Sequence, residues 1–276
     1  MKKVFAFLIL TGFCLAKTPG ESGLAFLKLE RDPLGFFENP ASLVDKGRSA
    51  GFMYSMPLNE VKGLKQGLVN VSYSLKNGVI GGEVIYFGYG EMDEYNNSGR
   101  RTGRSWSAYD LCASLSYARE MFGLKLGGAL KAISSKIDTA KGGAFALDLG
   151  AIANPCPGLE VGGSLKNLGT KIKYDNDKFS LPLSFNISSS YNIPLLAKIK
   201  GELSIPNDSD PYISLGIEKE FAKVLNLRLG YSTRKMAGSG ILAGFGIEYL
   251  SYSFDYLFKP YGDLGDSHIL SMGVRF

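Results

Sequence analysis

The chain holds one histidine, His268, and three cysteines, Cys14, Cys112 and Cys156. The residue types from which enzymes most often build a nucleophile, a general base or a metal centre are therefore scarce. With one imidazole and scattered thiols the usual zinc-ligand sets are out of reach, and a nucleophilic triad has only His268 to serve as its base. Asp93 and Glu94 lie in a polar stretch and read as solvated. Asp208-x-Asp210 offers a calcium ion two carboxylates in a turn, fewer ligands than that ion needs. Cys112 falls mid-strand and Cys156 in a turn two strands away, so the two are not expected within the roughly 4.4–6.8 Å between α-carbons that a disulfide requires. The expectation is a non-enzyme with no metal and no cofactor.

What remains is charge in patterned places. Residues 99–104, Gly-Arg-Arg-Thr-Gly-Arg, stand close to Trp106; this basic run reads either as a contact for lipopolysaccharide phosphates or a partner protein, or as solvated loop charge. Six further charges, Lys131, Asp148, Lys166, Arg228, Glu248 and Asp255, fall on the polar side of alternating segments. They either line a polar conduit or pair with one another across a closed lumen. Their mixed signs form no ring of a single charge, which is what an ion filter would need. The net charge of +5 is spread along the chain and gives no argument for nucleic acid.

These side chains need elements to position them, and the elements read as strands. Residues 1–16 have the physics of a secretory signal: Lys2 and Lys3, an apolar run, then Ala16 before Lys17. The run is too short to cross a bilayer as a helix, which takes about 20 residues. Residues 17–47, with Pro33 and Pro40, lack sustained alternation and read as an N-terminal hatch of turns and short helical pieces. Residues 48–276 carry fourteen strand-like runs. Leu225, Leu227, Leu229 and Tyr231 oppose Asn226, Arg228, Gly230 and Ser232; Phe145, Leu147 and Leu149 oppose Ala146, Asp148 and Gly150. The second face is too polar for a dry core, which is the pattern of a membrane barrel with lipid outside and a wet or plugged lumen.

Connection lengths support the same architecture, because short turns alternate with longer loops, as in outer-membrane barrels. Residues 88–106 read as the longest and most polar loop, and residues 135–142 as a longer loop than the turns on either side of it. The last run places Leu270, Met272, Val274 and Phe276 on one face and ends the chain on an aromatic residue. It is expected to close the barrel against Ser49–Met56, with both termini on the periplasmic side.

Several stretches resemble a known family. GESGLAFLKL followed by ENPASLV, then SYARE, ALKAISSKID, LEVGGSLKNLGTKIKY with LPLSF, and above all FKPYGDLGDSHILSMGVRF are similar to the PorV/PorQ-type proteins, a branch of the FadL-like outer-membrane barrels. The resemblance spans about residues 20–276. It implies an all-β transmembrane antiparallel barrel of about 14 strands with a short N-terminal hatch, set in the cell outer membrane. Asn39, Pro40 and Ala41 match the family's hatch motif; the same three residues also read as an Asx-Pro turn that packs the N-terminus against the wall. Leu270, Met272, Val274 and Phe276 resemble the C-terminal signal read by the barrel-assembly machinery. The segment between the FLKL-like start and the Asn-Pro-Ala motif is shorter than in the family, which bears on gating by the hatch.

The implied function is a non-enzymatic barrel that binds secreted partner proteins during secretion or surface attachment. The alternatives are a FadL-like passive transporter of hydrophobic small molecules and a soluble exported β-sandwich. Expected partners are outer-membrane lipid and lipopolysaccharide, the assembly machinery, and secreted proteins or hydrophobic small molecules.

Overall fold

The computed structural model describes residues 38–174, 177–234 and 238–276. The expected signal segment, and the hatch up to residue 37, lie outside the described residues. The described chain opens with a 3-10 helix, Pro40–Asp45. Strands β1 (Ser49–Met56), β2 (Leu64–Leu75), β3 (Gly78–Tyr95), β4 (Arg101–Met121), β5 (Leu124–Ile137), β6 (Ala140–Cys156) and β7 (Leu159–Gly169) follow as a meander. A small hairpin, β8 (Ile172–Tyr174) and β9 (Asp177–Phe179), interrupts it. Strands β10 (Ser184–Ile193), β11 (Ala197–Pro206), β12 (Tyr212–Phe221) and β13 (Leu225–Ser232) resume it, and β14 (Ile241–Tyr249), β15 (Tyr252–Pro260) and β16 (Asp266–Arg275) complete it.

Fourteen of these strands form a closed antiparallel barrel, with β7 pairing directly with β10 and β16 returning to β1. The seam registers Ser49 with Arg275 and Met56 with His268, so the last run closes on the first as its alternation implied. Closure leaves no unpaired edge, the condition for placing β-structure in hydrocarbon.

Side-chain distribution is inverted relative to a water-soluble protein. On β13, Leu229 is 59% exposed while Arg228 beside it is 5% exposed. The same inversion holds on β12, where Ile213, Leu215 and Ile217 are exposed and Ser214 and Glu218 buried, and on β2, where Val69 and Val71 are exposed and Asn70 buried. A strand alternates faces every residue, so each aliphatic row points out of the barrel and each polar row into it. An apolar outer belt of this extent suits lipid as its solvent.

The two ends differ. At the end holding the 3-10 helix and the last strand, the connections are two or three residues long. At the other they run from five to fourteen residues, apart from the two-residue turn at Asp138 and Thr139. Two expectations about loops are corrected. Residues 88–106 are mostly strand, because β3 and β4 continue past the wall as a two-stranded ribbon. The register shifts between Gly88 and Glu91, and only residues 96–100 turn, with Asn96 Oδ1 accepting from the amides of Ser98 and Arg100 at 3.0 and 2.9 Å. A ribbon wet on both faces has no apolar row to betray it. Likewise β5 and β6 pair through to Ile137 and Ala140, so residues 135–142 form a tight hairpin.

Candidate functional site

The lumen is the concave space that could do work, and its two walls are built differently. One wall carries the Asn-Pro-Ala motif. Asn39 caps the 3-10 helix, its Oδ1 accepting from the Ala41 amide at 3.0 Å, and Pro40 stands at the helix start where a missing N–H costs nothing. The Asn39 amide also reaches the barrel, donating to the carbonyls of Gly163 at 3.1 Å and Ala151 at 3.4 Å. Gly127 and Gly150, paired across β5 and β6, form the floor under it: a β-carbon at Gly150 would collide with Asn39 Oδ1, and one at Gly127 with the Pro40–Ala41 peptide. Ala41 and Leu43 are fully buried, Leu43 against Val79 and Ala118. Ion pairs fix the ends, Lys125 with Asp45 at 2.7 Å and Lys166 with Glu38 at 3.4 Å. The helix is a plug seated on β4 to β6.

The opposite wall carries charge. Lys200 on β11 pairs with Glu218 on β12 at 3.2 Å; Glu218 also pairs with Arg228 on β13 at 3.2 Å; and Arg228 pairs with Asp255 on β15 at 2.6 Å. The guanidinium passes over β14 at Gly246, where a β-carbon would sit 2.7 Å from Arg228 Nη2 and would also meet Asp255. Two positive and two negative charges cancel along this ladder. Below it, at the short-turn end, a cavity of about 690 Å³ is lined by Lys198, Glu218, Glu220, Asn226 and Glu248, among others.

Toward the long-loop end apolar clusters enter the lining beside buried polar residues such as Gln66 and Lys259. Met53, Leu68, Leu242, Leu257 and Ile269 form one buried cluster. A second joins Ile133, Ala144 and Ala146 to Ile172, Tyr174 and Leu181, the latter three from the segment around β8 and β9, which folds inward. Phe87, Tyr89 and Ala108 form a third, and Tyr89 donates its hydroxyl hydrogen to Asp110 at 2.7 Å. In the connection between β15 and β16 Tyr261 is buried, and burial pushes its phenol above its ordinary range.

All six charges singled out from sequence lie on the inner side of the wall. Lys131 pairs with Asp148, and Lys131 Nζ also donates to Asn167 Oδ1 at 3.2 Å. Asp148 Oδ1 accepts from the Asn167 amide at 2.7 Å. Lys166 reaches the plug through Glu38, Arg228 and Asp255 belong to the ladder, and Glu248 lines the cavity. Lys200 on β11 and Glu218 on β12 are not among the six charges singled out from sequence, none of which lies on those strands, and Asn226 stands in the polar row of Arg228. Leu270, Met272, Val274 and Phe276 occupy the outer side of β16, where Leu270, Met272 and Phe276 are exposed. His268 accepts or donates a 2.9 Å bond with the Tyr256 hydroxyl on the same outer side. In the ribbon Arg101 pairs with Asp93, and Arg104 with Asp138 at 2.6 Å. Cys112 and Cys156 are unbridged.

The G-x-S-x-G pattern of a nucleophile elbow does occur, at residues 47–51. Its serine, Ser49, opens β1 and shares a 2.7 Å hydrogen bond with the Ser72 hydroxyl. His268 pairs with Met56 at the far end of the same strand, so the one histidine does not face that serine.

No protein-family model and no curated protein matches the chain. Solved structures do. The Pseudomonas putida toluene transporter TodX matches with a TM-score of 0.69 over 92% of this chain and 96% of that one, at 9% identity. The CymD monoaromatic hydrocarbon channel matches at 0.63, 12% identity, over 97% and 98%. A Pseudomonas aeruginosa FadL homologue matches at 0.60, 11% identity, over 95% and 97%. The likeness is one of fold, a FadL-like barrel.

Proposed function

We propose that the protein is a non-enzymatic outer-membrane barrel that passes small apolar molecules passively, with both termini on the periplasmic side. The observation that carries this reading is the layering of the lumen. An aqueous pore needs polar lining along its length, whereas here Met53, Leu68, Leu242, Leu257 and Ile269 form an apolar stretch of wall across β14, β15, β16, β1 and β2 toward the long-loop side, and a plug stands at the opposite end. Apolar contact is what a solute poor in hydrogen-bonding groups can use. The fold shared with proteins described as a toluene transporter and a monoaromatic hydrocarbon channel supports the same reading. The exposed side chains of β16 fit a strand offered first to the assembly machinery and then to lipid. Uptake of a labelled monoaromatic hydrocarbon by cells stripped of their own channels tests it. Expression of this barrel should raise uptake several-fold; a rate equal to the empty control would overturn the reading.

One observation favours a second role. The β3–β4 ribbon stands beyond the barrel and presents Arg100 and Arg101 to solvent, a surface suited to a PorV/PorQ-type barrel that holds a secreted partner. Deleting residues 91–105 should abolish co-purification of such a partner while leaving hydrocarbon uptake intact.

A further inference from the structure

On the lumen side of β13, Asn226 and Arg228 are successive inward residues, 3% and 5% exposed, and two positions along a strand span roughly 7 Å. Each keeps one buried polar atom with no bonding partner among the described residues: Oδ1 of Asn226, an acceptor, and Nη2 of Arg228, a donor. Buried polar atoms left without a partner are destabilising, so a group that satisfies them is favoured. The rest of Arg228 is committed, Nε to Glu218 and Nη1 to Asp255. Asn226 lines the 690 Å³ cavity, and Arg228 sits one step deeper, toward the apolar clusters.

The charge around this pair is of mixed sign. The ladder of Lys200, Glu218, Arg228 and Asp255 sums to zero. Beyond the ladder the cavity sets Glu220 and Glu248 against Lys198, Lys219 and Lys223, and Lys219 gives its ammonium to the Leu195 carbonyl at 2.7 Å. At the ladder, where Arg228 stands, nothing selects an anion or a cation. A neutral group that both donates and accepts one hydrogen bond satisfies both atoms, and a hydroxyl is the smallest group that does.

The geometry points to a neutral-hydroxyl subsite on β13: a small molecule with an apolar body and an uncharged hydroxyl places that hydroxyl between Asn226 Oδ1 and Arg228 Nη2, its body extending toward Leu242 and Leu257. The subsite lies on the wall opposite the plug, so it is filled and emptied through the cavity while Asn39 stays docked on Gly150. This selectivity rests on the channel reading above and refines it, since a bare hydrocarbon gains nothing at β13.

Photolabelling of the purified, folded barrel in detergent tests it, with two probes of equal length, a diazirine-bearing decanol and a diazirine-bearing decane. Decanol should label β12 to β14, and its labelling there should exceed that of decane about tenfold, the worth of one hydrogen bond to a buried group. Asn226→Leu should remove the difference. If that variant fails to fold, competition in the unaltered protein decides instead: unlabelled decanol should suppress the β13 label and unlabelled decane should not. Equal labelling by both probes, or equal competition, overturns the subsite and means that water alone satisfies the two atoms. Both probes labelling only the apolar clusters would overturn the subsite while leaving the channel reading in place. Labelling of the lumen by neither would remove both.

Discussion

The two walls of the lumen solve one problem, polar matter inside a narrow barrel, in opposite ways. On β5 and β6 glycines remove side chains, so that a foreign segment can lie on bare backbone: Gly127 and Gly150 make room for residues 39–41, whose polar groups the wall's carbonyls then satisfy. From β11 to β15 charged side chains are kept and pair with one another, and among the inward glycines of these strands Gly246 lets Arg228 reach across an intervening strand. The first wall is a docking floor and is filled. The second pairs its own charges and leaves space in front of it. The difference teaches that in this barrel the place of an inward glycine decides what lies over it: a docked segment at Gly127 and Gly150, a crossing guanidinium at Gly246.

Substitutions that exchange the two solutions should show this. Removing the centre of the ladder has the largest expected effect. Arg228→Met leaves Glu218 and Asp255 buried beside no guanidinium, and breaking a buried pair costs about 3–5 kcal/mol. The folded band in heat-modifiable gel mobility should be lost at a markedly lower temperature, and adding Asp255→Leu should restore part of the loss. Gly150→Val comes next. Its side chain overlaps Asn39, and overpacking costs about 1–3 kcal/mol, but the barrel should keep its mobility shift while protease cuts within residues 38–45 appear. Asn39→Ala removes a helix cap worth about 1 kcal/mol along with two bonds to the wall, and amide exchange across residues 40–45 should quicken without change on β12 and β13. Arg101→Ala, in the ribbon, breaks a solvent-exposed pair worth under about 1 kcal/mol and should leave barrel stability unmoved. If Arg228→Met and Arg101→Ala shifted the melting of the folded band equally, the ladder would have no special standing.

Much of this was legible in the sequence. Rows such as Leu225, Leu227 and Leu229 against Asn226 and Arg228 specify a two-faced strand, and the terminal row from Leu270 to Phe276 specifies the seam, because a period of two ties residue type directly to side. The inward direction of Lys131, Asp148 and Arg228 followed from the same rule. Their partners did not. Whether Arg228 meets Glu218 and Asp255 depends on register between strands and on the gap at Gly246, and neither is written in the alternation of a single strand. Gly127 and Gly150 looked like ordinary glycines of a β-rich chain until the plug was seen against them. The ribbon at Asp93 to Arg104 hid for another reason: with water on both faces, neither row needs to be apolar. Hairpin β8–β9 hid because three-residue strands are too short to display a period.

Accessibility of two thiols separates the walls most directly. With Cys112 and Cys156 replaced by serine, Ala41→Cys and Glu248→Cys are placed singly in the folded barrel and treated with a membrane-impermeant maleimide. Ala41 is fully buried under the plug contact and Glu248 lines the cavity. The expected result is rapid modification at position 248 and protection by about two orders of magnitude at position 41, since reaction there requires the plug to undock. Equal rates at the two positions would contradict the division of the lumen into a filled wall and an open one.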